Sequence, residues 1–61
     1  MKTFALTYRT DKLELVKTII KTEDLEATAK IGRDAYGNTL IEVTCDDEDY
    51  SILKDVFNMV A

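Results

Sequence analysis

Leu25-Glu26-Ala27-Thr28-Ala29-Lys30-Ile31 is the stretch on which the fold turns. It admits two readings. Ala and Glu favour helices, yet apolar Leu25, Ala27, Ala29 and Ile31 alternate with polar Glu26, Thr28 and Lys30, the period of a half-buried strand. The residues that follow favour the strand. Asp34-Ala35-Tyr36-Gly37-Asn38 has turn composition, with Gly37 or Asn38 able to take a positive φ, and Ile41, Val43 and Cys45 then alternate with Glu42 and Thr44. Two alternating runs around a turn make a hairpin. The spacing therefore predicts strands over residues 25 to 33 and 39 to 45.

Upstream, Phe4, Leu6 and Tyr8 alternate with Ala5, Thr7 and Arg9, which predicts a strand over 3 to 9 with the first three on its buried face. Thr10 or Asp11 offers an N-cap oxygen and Glu14 the return partner of a capping box. Leu13, Val16 and Ile20, widened by Leu15 and Ile19, then mark a helix over 11 to 22 that lapses at Thr22-Glu23-Asp24. Downstream, Tyr50, Leu53, Val56, Phe57 and Val60 recur at three and four, a helix over 47 to 60. It opens on Asp46, Asp47, Glu48 and Asp49, carboxylates that each favour the positive end of a helix dipole by about 1 kcal/mol at most.

The order strand-helix-strand-strand-helix makes an α+β domain spanning residues 1 to 61. A right-handed crossover followed by a hairpin gives two layers, a three-stranded sheet with both helices on one face, and with the third strand in the middle the strand order is 2-3-1. The arrangement resembles a split ferredoxin-like unit lacking its last strand. That absence leaves the first strand as an open edge, and open edges invite pairing with a second copy or a foreign strand.

Composition narrows the function classes. A chain of 61 residues with 46% hydrophobic and 33% charged content is apolar enough to fold but close to the lower size limit for one core. Such chains usually need a staple, and the lone Cys45 with no histidine offers neither disulfide nor zinc site, which leaves oligomerisation or docking on a partner. No apolar run approaches a membrane span and no signal-peptide pattern precedes the first strand, so a complete, soluble, cytoplasmic product is expected. Net charge is −4, unevenly placed. Residues 1 to 22 balance to +3 (five cations, two acids) and residues 23 to 61 to −7 (three cations, ten acids).

No catalytic constellation, cofactor motif or metal-ligand spacing is present, and no enzyme activity is expected. Cys45 falls on the apolar phase of its strand beside an acidic run that would raise a thiol pKa, the setting of a structural cysteine. The run at 46 to 49 lacks the spaced pattern and distal Glu of an EF-hand loop. Gly32 and Gly37 have P-loop spacing, but Asn38 stands where the phosphate-binding lysine belongs, and the segment leads into a strand.

What remains are surfaces. Ile52 and Met59 lie seven apart on the flank of the last helix, Leu40 points away from Ile41 and Val43, and Tyr36 sits at the hairpin tip. With the acidic Glu42, Asp46, Asp47, Glu48, Asp49 and Asp55 they are the candidate partner-binding residues. The expected function is a small acidic protein-interaction module, a regulator or inhibitor that occupies a partner's surface, of a size and composition common among phage accessory proteins. A homodimer through the first-strand edge or the Ile52/Met59 flank accompanies it. One variant is nucleic-acid mimicry by the acidic residues. An alternative is single-stranded nucleic-acid binding by Arg9, Lys12, Lys17 and Lys21 with Tyr8 or Tyr36 stacking, although the chain's negative charge makes nucleic acid the less expected partner.

Overall fold

The hairpin outweighs local helix propensity. A computed structural model describes all 61 residues, and in it β1 (Lys2–Thr7) and a 3₁₀ turn (Thr10–Lys12) lead into α1 (Leu13–Thr22). Then follow β2 (Thr28–Arg33), β3 (Thr39–Cys45) and α2 (Asp47–Val60). The sheet order is β1-β3-β2, with β3 antiparallel to both neighbours. This is the α+β class and the strand order that the sequence implies.

Both helices cover one face. α1 packs on β2 and α2, while α2 packs on β1 and β3. Val16 and Ile19 of α1 and Leu53 and Phe57 of α2 meet Ile41, Val43 and Cys45 of β3 in a single buried cluster. The molecule is 15 Å along its shortest axis, the thickness of two layers. Phe4 of β1 stacks on Tyr50 in the first turn of α2, ring centroids 4.1 Å apart, and fastens the outer strand to the helix layer.

Four local features differ from the expectation, each with a backbone cause. No capping box forms, because residues 10 to 12 make a 3₁₀ turn and α1 begins at Leu13 with Lys12 at the N-cap position and no side-chain cap. Asp11 instead lies 3.5 Å from the guanidinium of Arg9.

β2 begins at Thr28 rather than at residue 25 because the end of α1 occupies the intervening chain. Asp24 takes φ 54°, the amide of Leu25 donates to the Ile20 carbonyl at 2.9 Å and that of Asp24 to Lys21 at 3.3 Å. These are the paired bonds of a Schellman motif, with Leu25 and Ile20 as its apolar pair and an aspartate where glycine is usual.

β1 ends at Thr7 and carries a bulge: Ala5 is opposite Glu42 but Thr7 opposite Ile41, so Leu6 and Thr7 together face one residue of β3. The bulge changes the phase of the strand. Leu6 still packs on the core, whereas Tyr8, expected on the same face, leaves it and is 61% exposed.

The order also leaves two free edges. β2 is as unpaired on its outer side as β1.

Candidate interaction surfaces

The hairpin tip is built around one carboxylate. Asp34 Oδ1 accepts the amides of Tyr36 at 2.8 Å and Asn38 at 2.9 Å, while Oδ2 accepts the hydroxyl of Tyr8 at 3.0 Å and the Asn38 side-chain amide at 3.4 Å. Gly37 supplies the positive φ of 81° that closes the loop. Desolvation would raise the Asp34 carboxyl, but acceptance from the Asn38 and Tyr36 amides and from the Tyr8 and Asn38 side chains outweighs it and holds the pKa below its ordinary value. The same hydrogen bond, with the negative charge behind it, raises the Tyr8 phenol.

That bond crosses the sheet. Continuing the register past Thr7 brings Tyr8 beside Leu40 on the face without helices, and Asp34 follows the end of β2, so the phenol spans the start of β3. Leu40, expected on an association surface, is only 3% exposed and so is not available to a partner.

The remaining candidates fall into four places. Glu42 is on the helix-free face, where its side chain lies over Gly32, so close that any Cβ at position 32 would collide with it. It is therefore on a different face from the start of α2 and does not join the other acids. Asp46, Asp47 and Glu48 are exposed at that start with Asp49 half-buried, and two of the four are partly neutralised from β1. The terminal ammonium of Met1 is 3.9 Å from Asp46 and the Lys2 ammonium 3.3 Å from Asp47. Asp46 makes no side-chain cap; its carbonyl accepts the Tyr50 amide at 2.9 Å.

The third place is the outer flank of α2. Glu48, Ile52, Asp55 and Met59 recur at spacings of four, three and four, which puts them in one stripe, and all are exposed, Met59 by 83%. Tyr36 stands apart at the hairpin tip, 90% exposed.

Other side chains are accounted for structurally. Cys45 is fully buried; burial pushes its thiol up, and the carboxylates of Asp49, Asp46 and Asp47 add to the effect. Lys17 and Lys21 are exposed on α1, and Lys12 is half-buried. The helix-free face carries Thr28, Thr44 and Thr3 in one cross-strand row, with Thr3 and Thr44 hydroxyls 3.1 Å apart, and its aromatic ring, Tyr8, is tied to Asp34. Gly32 lies inside β2 and Gly37 in the turn, so the segment between them runs from strand to strand.

The edge of β2 was not among the candidates, although the order 2-3-1 leaves it free as surely as β1. Ile31, facing the helix layer from this edge, is 44% exposed. No helix of the molecule is long and apolar enough to cross a membrane. Compared with protein-family models, curated proteins and solved structures, the chain has no significant match.

Proposed function

We propose that the chain is a small protein-interaction module that regulates or inhibits a partner by presenting the outer flank of α2. The supporting observation is the stripe Glu48, Ile52, Asp55, Met59, in which acidic and apolar side chains alternate along one exposed helix face. An amphipathic helix of this kind suits an apolar groove rimmed by Lys or Arg on the partner. Methionine fits such a role because its unbranched thioether adapts to irregular pockets, while the carboxylates steer a basic rim and reject an acidic one. α2 can lend this face without losing its fold, since a separate stripe, Leu53 and Phe57, holds it to the sheet.

Capture of a stoichiometric protein partner from native cells at moderate salt tests the reading. The wild-type chain retains the partner, and the Ile52→Asp and Met59→Asp variants, both exposed substitutions that leave the fold intact, release it. Recovery of no partner, or of one that both variants hold equally well, contradicts it.

A further inference from the structure

The two outer strands are not equally closed, and β2 is the open one. Its six residues pair with β3 without interruption, from Thr28 opposite Thr44 to Arg33 opposite Thr39. The hairpin fixes which backbone groups face outward. The Asp34 amide donates to the Asn38 carbonyl at 3.0 Å, so in an antiparallel ladder Asp34, Gly32, Lys30 and Thr28 turn their amides and carbonyls to β3. Ala29, Ile31 and Arg33 therefore direct theirs away from the sheet. Three outward sites at regular spacing, on a strand with no bulge, form a template for another strand.

The side chains on either face of β2 specify what that strand should be. On the helix-covered face Ile31 stands at the margin of the core, 44% exposed. On the other face Lys30 is exposed and forms no ion pair, the ion pairs of the chain being Met1 with Asp46, Lys2 with Asp47 and Arg9 with Asp11. Glu42 is directly opposite Lys30 in the ladder, yet its side chain turns aside to lie over Gly32. A bare glycine covered by a carboxylate thus sits two residues along the edge from an unpaired ammonium.

We propose that β2 pairs antiparallel with β2 of a second copy about a two-fold axis at Ile31, joining the two sheets into one. Opposed residues in a ladder share a face, so the axis must pass through a residue. Centred on Ile31, the pairing sets isoleucine against isoleucine on the helix side. Lys30 of each copy comes opposite Gly32 of the other, and so beside the other copy's Glu42 carboxylate. Ala29, Ile31 and Arg33 are the residues that exchange backbone bonds. Moving the axis to Lys30 would oppose two ammonium groups; moving it to Gly32 would set Ile31 against Arg33. The occupant is a second copy because the edge supplies both halves of the charge pair. This surface is separate from the α2 flank, so either can fail alone.

One strand edge makes a small, transient interface, and the dimer fills at chain concentrations on the order of 0.1 mM. Sedimentation equilibrium from roughly 0.01 to 1 mM brackets that range, with circular dichroism confirming each variant folded. Lys30→Glu and Glu42→Lys should each weaken the dimer about ten-fold, since each turns two attractions into repulsions. The double variant K30E/E42K should recover to within about three-fold of wild type, each reversed charge again meeting its opposite. Ile31→Lys, an exposed change tolerated by the monomer, should abolish association and keeps the test valid if a charge variant fails to fold. A chain that stays monomeric throughout overturns the proposal. So does a dimer that Ile31→Lys leaves intact, or a charge reversal that the double variant does not rescue.

Discussion

β1 and β2 are both edge strands of six residues, and they differ in how the edge is finished. β1 is interrupted by the Ala5/Thr7 bulge, tied at its start to Asp46 and Asp47 by Met1 and Lys2, and stacked on α2 through Phe4. Lys2 and Phe4 turn their backbone groups to β3, which leaves Thr3 and Ala5 facing outward before the bulge breaks the spacing. β2 has no interruption, and an apolar residue is exposed beside it. The lesson is that an edge is closed by local irregularity and anchoring, not by its place in the sheet. Where these devices are absent, the edge remains available for pairing.

Removing the anchor of β1 should produce the largest effect. Phe4→Ala eliminates the stack on Tyr50 and should cost about 2–3 kcal/mol, less than for a fully buried ring because Phe4 is half-buried. Urea unfolding measures this directly, and hydrogen exchange should show β1 opening before β2 in the variant. Next comes the turn that fixes the phase of β2: Gly37→Ala places a side chain at φ 81° and should cost about 1 kcal/mol, read as a lower urea midpoint.

Tyr8→Phe removes the hydroxyl that links the end of β1 to the end of β2, and should lower Tm by less than Gly37→Ala does. It should also bring the Asp34 carboxyl back toward its ordinary pKa in an NMR titration, since one of its donors is gone. Because the folded pKa of Asp34 is depressed, its contribution to wild-type stability is present above the unfolded value of about 4 and is lost as pH falls through the folded value. Acid unfolding of the Phe variant should depend less steeply on pH in that range.

A smaller effect, of opposite sign, is expected where the chain enters β2. Asp24→Gly relieves the left-handed conformation at the end of α1 and should stabilise by about 0.5 kcal/mol in thermal unfolding. Ile31→Lys should change the stability of the monomer least, within about 0.5 kcal/mol, while altering self-association most. A large destabilisation by this substitution would mean that Ile31 belongs to the core rather than to an edge.

Much of this architecture is legible in the sequence where hydrophobic period and length agree. The residues of β3 and α2 are 39 to 45 and 47 to 60, as the alternation of Ile41, Val43 and Cys45 and the spacing of Tyr50, Leu53 and Phe57 imply. What escaped depends on backbone geometry that composition does not mark. An aspartate rather than a glycine carries the left-handed residue after α1, so the true start of β2 was hidden. The bulge reverses the phase of Tyr8 without any proline or glycine to announce it. Leu40 sits on the helix-free face of β3, opposite Gly32, yet is only 3% exposed, which removes one candidate from the association surface. The α2 flank was readable because helical periodicity places Ile52 and Met59 directly. The β2 edge required knowing which amides the hairpin leaves facing outward.

Amide exchange on the two edges, followed by NMR at dilute and concentrated chain, tests the central contrast most directly. At dilution Ala29, Ile31 and Arg33 of β2 and Thr3 and Ala5 of β1 should all exchange quickly, with Lys30 and Gly32 protected. On concentration, the three β2 amides should slow by at least about ten-fold while Thr3 and Ala5 stay fast. Slowing at Thr3 and Ala5 instead, or at neither edge, would contradict the account.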